Sequence, residues 1–405
     1  MKIRSITYFI NPGWPLNEAK LRKAGEFLAH ATAVFTSAGY EVQTTRLATT
    51  PFAKILNGKV EETLLFARKM SEMLKQIGVA YAALGPALIE SPKSYSVIPE
   101  AIAAADNIFF SGEMANKTNG ISLQAIRACA EIIQRSSSIT PDGFANLRFA
   151  ALANVKAGAP FFPAAYWHKD EPAFAIAVES ADLAVQAFEN TKSLEDGRRN
   201  LISSIEKHGQ VIDRISKNEL SNTRFVGIDF SLAPFPDDAH SLGNAVEKMG
   251  VPKIGLHGSL AAAAILTEAI DRADFPHTGF SGFMQPVLED SVLAKRAAEG
   301  TLTIKDALLY SAVCGTGLDT VPLPGDITAD EMSPLLLDLC ALALRLDKPL
   351  TARLMPVPGK KAGDITEFEF GFFANSKVMK LESEPLKSSL AGNENFALQT
   401  KHSNA

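Results

Sequence analysis

Two hydrophobic rhythms alternate along this chain. Short continuous apolar runs suit strands buried on both faces. Between them, apolar residues recur every three to four positions, which suits amphipathic helices. The runs predict strands at residues 3–10, 41–47, 79–84, 107–110, 148–155, 173–178, 224–230, 251–256 and 353–357, with 367–373 and 376–381 finishing the series. The helical spacing falls at residues 18–37, 61–76, 98–105, 121–134, 193–215, 241–249, 259–270 and 304–313. Thr328 followed by Glu331 has the spacing of a capping box, which opens a further helix running to Leu346. This order predicts an α/β fold built on a largely parallel sheet.

Two segments depart from the rhythm. The loop over residues 158–172 carries Phe161, Phe162, Tyr166 and Trp167. Loops are ordinarily polar, so this one is either tucked into the core, the favoured reading, or lines a pocket. From Glu382 onward the chain is polar and is expected to be a flexible tail. No repeat or linker interrupts residues 1–381, which are read as a single domain.

Composition narrows the function. The 405 residues are 46% hydrophobic and 21% charged, enough for a large core, and the net charge is -5. Binding to a nucleic-acid backbone needs clustered Lys and Arg, and the pairs Arg198-Arg199 and Lys360-Lys361 are too short for it. The three cysteines, Cys129, Cys314 and Cys340, form no C-x-x-C pair, so reduced thiols of a cytoplasmic protein are expected. The basic, apolar N-terminus is interrupted by Asn11-Pro12-Gly13 and reads as a first strand rather than a signal peptide. No apolar run approaches the ~20 residues of a membrane span.

Candidate chemistry lies in loops that follow strands, where parallel α/β folds bind ligands. In Gly227-Ile228-Asp229-Phe230-Ser231, Asp229 ends a buried strand and so must be paired, hydrogen-bonded or metal-bound. In Leu256-His257-Gly258-Ser259, a helix N-terminus could hold an anion while His257 moves a proton. Ser281 and Gly282, within Gly279-Phe280-Ser281-Gly282, suit an anion cradle but do not form G-x-S-x-G. The acidic pair Glu289-Asp290 that follows reads as a helix start. Cys314 enters a glycine-rich turn that leads to Asp319. A helix C-terminus disfavours a thiolate there, and a buried free cysteine is the plainer reading. Glu113, Asn116 and His168 are further ligand candidates. If Asp229, His257 and Asp319 converge, they could bind a divalent metal or act as acid and base. No P-loop, G-x-G-x-x-G or H-E-x-x-H occurs, so ATP, NAD and zinc-protease readings lose their usual support.

The strings DFSLAP, GLHGS, GFSGFMQPVLED and CGTGLDTVPLPGD, in this order, resemble the family known as domain of unknown function 711, or uncharacterised protein family 0210. The resemblance is strongest over residues 224–370 and looser over residues 1–188. It implies a ten-stranded α/β barrel like that of the pyruvate formate-lyase type of glycyl radical enzyme. It does not carry over radical chemistry. Cys314 would stand for the thiyl cysteine and Gly371 for the radical glycine, but no radical-loop signature surrounds Gly371. The resemblance also implies a small ACT-domain protein as a partner. A homodimer is a further expectation.

Together these readings lead to an enzyme acting on a small carboxylate or amino-acid-like metabolite. It would use His257 with Asp229 or Asp319 as acid and base, and hold the anion at Gly258-Ser259. A metabolite sensor with the same pocket, or thiol or radical chemistry at Cys314, are the alternatives.

Overall fold

The computed structural model describes residues 1–401. Eleven strands are present: β1 (Lys2–Ile10), β2 (Thr45–Thr49), β3 (Tyr81–Ala87), β4 (Ile108–Asn116), β5 (Gly120–Ser122), β6 (Phe149–Ala153), β7 (Ala173–Glu179), β8 (Arg224–Ala233), β9 (Gly317–Pro324), β10 (Leu350–Val357) and β11 (Asn395–Phe396). They form one mixed sheet with the order β8-β7-β1-β2-β3-β4-β6-β10-β9, and β5 and β11 hang from β4.

Within this order the sheet divides into two parallel halves. Strands β1, β2, β3, β4 and β6 run one way, and β7, β8, β9 and β10 run the other. The halves meet at two antiparallel seams, β1 with β7 and β6 with β10. Strand ends that lie far apart in sequence therefore share one side of the molecule. The N-terminal ends of the first half and the C-terminal ends of the second lie together.

The sheet does not close, which corrects the expected ten-stranded barrel. Between the free edges of β8 and β9 runs an irregular segment, residues 277–287. It touches β8 through the Ile228–His277 bridge and the bond from the Leu232 amide to the Gly282 carbonyl. It touches β9 through the Pro286–Asp319 bridge. Glycines and prolines at 279, 282 and 286 prevent this stretch from becoming a regular strand.

Amphipathic helices cover the outer face, with Glu18–Ser37, Thr63–Ile77, Leu123–Ser137 and Ala329–Arg345 burying their apolar stripes against it. The capping box at Thr328 and Glu331 is formed. The inner face is filled by the aromatic loop. Trp167 stacks on Phe9 at 5.0 Å, while Phe161 and Phe162 are buried within the curve of the sheet.

Three stretches differ from expectation. Residues 251–256 form turns rather than a strand, and residues 367–373 and 376–381 are irregular, with an isolated Ile365–Lys377 bridge beside them in place of a ladder. Gly317–Pro324, where the hydrophobic pattern predicts no strand, is strand β9. The tail, expected to be flexible, is tied down along residues 392–401. Strand β11 pairs with β5, Arg127 bonds to Gly392 and Asn393, and the Lys401 amide donates to the Arg345 carbonyl. Among the described residues, no helix is long and apolar enough to cross a membrane.

Candidate functional site

Besides Arg224, the exposed first residue of β8, three arginines occur in strands among the described residues: Arg4 in β1, Arg46 in β2 and Arg353 in β10. A cation in a buried strand needs an acceptor, and two of the three have a carboxylate. The Arg353 guanidinium grips both oxygens of Asp319 with one edge, Nε to Oδ1 at 2.6 Å and Nη2 to Oδ2 at 3.0 Å. It also donates to Glu289 Oε1 at 2.7 Å. Arg4 donates to the other oxygen of Glu289, and to Glu179 at 3.2 Å. Gln43 completes the row by donating to Glu179 at 2.8 Å. The result is a buried line of alternating charge: Asp319, Arg353, Glu289, Arg4, Glu179. Burial pushes the Asp319 carboxyl up, and Arg353 pulls it back.

Arg46 stands apart from this line. Its Nε donates to Thr44 Oγ1 at 2.9 Å, and its guanidinium lies 5.1 Å from the centre of the Phe162 ring. Among the described residues its two terminal nitrogens have no hydrogen-bond acceptor, and no carboxylate lies within ion-pair distance. Burial, together with the charges of Arg4 and Arg353, pushes it down to about 9, so it remains a cation at neutral pH.

Arg4, Arg46 and Arg353 all face one cavity of about 350 Å³. Its charged and polar lining includes Thr44, Tyr81, Asp229, Ser231 and Glu289. Phe109, Phe161 and Phe162 form part of the wall, and Phe144, Phe370 and Phe372 form another part. Asp106 and Arg148 also line it, with Asp106 exposed to solvent. The cavity lies on the side shared by the N-terminal ends of β1–β4 and the C-terminal ends of β7 and β8. For half of the sheet this is opposite to the side that a simple parallel fold would use.

The sequence candidates scatter relative to this cavity. Asp229 and Ser231 line it. Asp229 is held by four donors, three of them on one oxygen: Oδ1 accepts from the Ser231 amide (3.2 Å), the Ser231 hydroxyl (2.6 Å) and the Ser281 amide (2.9 Å), while Oδ2 accepts from the Phe280 amide (3.0 Å). Burial raises its carboxyl, against the pull of these donors. The same bonds anchor residues 277–287 beside β8. Ser281 is committed too, accepting from the Phe230 amide at 3.1 Å and donating to the Thr278 carbonyl at 3.0 Å. Gly282 packs against Gly315, where a Cβ would come within 2.7 Å of the Gly315 nitrogen. Neither forms an anion cradle. Asp319 reaches the cavity only through Arg353.

His257 does not join them. It is exposed in the turn before helix Ser259–Arg272 and does not line the cavity. Gly258 is the N-cap of that helix, and the Ser259 hydroxyl bonds Gly255 and Leu256 in its own turn. The expected convergence of Asp229, His257 and Asp319 is therefore absent. Among the described residues no three His, Cys, Asp or Glu side chains gather as metal ligands. Cys314 is fully buried, with Sγ 3.9 Å from Gln285 Nε2, and is not part of the lining. Gly371 is exposed and has nothing within 4 Å of where a Cβ would stand. Glu113 lies at the far end of β4, where burial raises its carboxyl, and Asn116 ends the same strand. His168 is exposed beside Trp167.

Of the acidic pair, Asp290 is the helix-start residue, capping Ser291–Glu299 through the Val292 and Leu293 amides. Glu289 instead turns into the cavity. Arg4, Arg46 and Arg353 were missed, although their signal was present. The rule that flagged Asp229, a charge inside an apolar strand, applies equally to them.

The family model described as "Uncharacterised ACR (DUF711)" matches residues 1–376. A UPF0210 protein of Pyrobaculum aerophilum is 31% identical over 390 residues, covering 91% of this chain and 84% of that protein. A UPF0210 protein of Neisseria meningitidis is 30% identical, covering 90% and 84%. One from Clostridium perfringens is 27% identical, covering 85% and 80%. None of these names states a reaction.

Proposed function

The chain belongs to the DUF711 family, and we propose that its interior cavity binds a small organic carboxylate, seated on Arg46, and acts on it by acid/base chemistry. One observation carries the reading. Among the described residues Arg46 has no acceptor on either terminal nitrogen at the wall of a cavity, while its neighbours Arg4 and Arg353 each hold two carboxylates. A guanidinium with two parallel free N–H groups matches the two oxygens of a carboxylate. Walls that are mostly aromatic and aliphatic exclude water and strengthen that contact.

Among the described residues no histidine lines the cavity, so the proton-moving role passes to a carboxyl. We assign it to Asp229, whose burial raises its carboxyl and so lets it hold a proton at higher pH than a free aspartate.

Thermal-shift titration of the full chain with a panel of small carboxylates tests the seat. A ligand that binds only the folded state raises the melting temperature, and saturation at 100 times Kd corresponds to about 2.7 kcal/mol. Arg46→Gln should abolish the shift, and His257→Ala should leave it intact. A full shift retained by Arg46→Gln would remove the seat. The acid/base half is tested by proton NMR in heavy water with an acid that binds. Wild type should exchange a carbon-bound proton next to the carboxylate, and Asp229→Asn, assayed below its melting temperature, should bind without exchanging it. A wild type that binds yet never exchanges would leave a binding protein, not an enzyme.

A further inference from the structure

We infer that the acid carries an aromatic ring and has no ammonium group beside its carboxylate. This rests on Arg46 as the carboxylate seat and narrows the ligand class that the seat accepts.

The ring follows from what surrounds Arg46. Its guanidinium lies over Phe162; Phe109 meets Phe162 at 5.5 Å between ring centres, and Tyr81 meets Phe109 at 5.4 Å, both nearly edge to face. These rings line the same cavity as the arginine. A second group lines it as well: Phe144 and Phe370 at 4.9 Å, and Phe370 and Phe372 at 5.4 Å. A short acid such as propionate would fill the polar seat and leave these walls facing water. A planar ring meets them edge-on or offset, the arrangements that aromatic pairs favour. The cavity, about 350 Å³, lies within the range that takes a ring-bearing small molecule.

The missing ammonium follows from the acids. An α-ammonium would sit within one bond of the carboxylate-bearing carbon, and so beside Arg46. The carboxylates in that interior are already taken. Both oxygens of Glu289 are held by guanidinium groups, Asp229 accepts four bonds, and Asp319 and Glu179 are bound by Arg353 and by Arg4 with Gln43. Asp106 keeps its oxygens free, but it lies exposed to solvent. An ammonium at the seat would add a fourth cation next to Arg4, Arg46 and Arg353 with no acceptor of its own.

Isothermal titration of the full chain with three probes tests this: 3-phenylpropionate, propionate and L-phenylalanine. The first differs from the second by the ring and from the third by the ammonium. We expect 3-phenylpropionate to bind tighter than propionate by about tenfold or more, the scale of burying one ring. L-phenylalanine should be weaker than 3-phenylpropionate by about tenfold or more. Phe372→Ala should shrink the preference for 3-phenylpropionate over propionate, and Phe372→Leu should restore part of it. Phe372 is half-exposed in an irregular segment, so these variants should fold; a melting curve checks that.

Equal affinities for propionate and 3-phenylpropionate, both lost in Arg46→Gln, would overturn the ring and leave the seat standing. L-phenylalanine equal to or tighter than 3-phenylpropionate would overturn the ammonium argument. If none of the three binds, or if Arg46→Gln binds them unchanged, the seat fails and this inference fails with it.

Discussion

A buried charge is stable only in company, and here the company is unequal. Arg353 holds two carboxylates with its own side chain almost wholly buried. Removing one partner of such a group leaves the others uncompensated, which costs more than the pair itself contributes. Arg353→Met should therefore destabilise the fold by about 3–5 kcal/mol, read from urea unfolding, since Asp319 and Glu289 would both lose their cation. A loss below about 1 kcal/mol would mean that the line of alternating charge relaxes more freely than its geometry suggests. Arg46→Gln should behave differently. Arg46 has no carboxylate partner to strand, so its removal should cost little stability while abolishing carboxylate binding. The contrast between the two variants separates a structural arginine from a ligand-binding one.

At the scale of elements, the irregular pieces place the chemistry. Residues 277–287 fill the gap between β8 and β9 and are pinned by Asp229. Gly279 has a φ of 65°, and a Cβ there would stand 2.2 Å from Asp229 Oδ2. Gly279→Ala should thus displace the carboxylate from the amides of Phe280 and Ser281. The expected cost is about 1–3 kcal/mol, measured as a drop in unfolding free energy, with faster amide exchange confined to residues 277–287. Uniform exchange across the protein would instead show that this segment does not open on its own. Residues 367–373 show a related effect. Their alternating aromatic pattern predicts a strand, but Asn375 bonds the backbone of Phe368 and folds the segment back. Phe370 and Phe372 then reach the cavity, while Phe368 and Phe373 pack beside Met355 and Val357. Periodicity cannot distinguish a paired strand from an extended loop that uses both of its faces.

At the scale of the whole molecule, the two parallel halves decide where the cavity opens. Because they run in opposite directions, the start of β2 and the end of β8 lie on one side. Asp229 and Ser231, towards the C-terminal end of β8, therefore line the cavity, and Glu113, towards the C-terminal end of β4, does not. The same architecture gives the tail a place to dock. Strand β11 pairs with β5, and Arg127 and Arg345 bond to tail carbonyls. Deleting residues 382–405 should lower the melting temperature by about one degree, as expected for the loss of about 1 kcal/mol in a chain of this size, without weakening carboxylate binding. A truncated protein that melts like wild type would show that this docking adds no stability. One that no longer binds would show that the tail supports the cavity from a distance.

The α/β class, most strands and helices, the Thr328 capping box and the family were all legible in the sequence. Each depends on neighbouring residues: a hydrophobic period, a cap three residues from its partner, a contiguous string. Single positions could be flagged in the same way. A carboxylate in an apolar strand had to be satisfied, and Asp229 is. Tertiary structure alone decided which flagged residues meet. His257 was read as a proton carrier because it precedes a helix, but that helix begins on the outside. Arg4, Arg46, Glu289 and Arg353 lie as much as 349 positions apart, Arg353 counted from Arg4, and still line one cavity. Their meeting depends on strand order and direction, set by long-range packing of the whole chain. No local pattern encodes it.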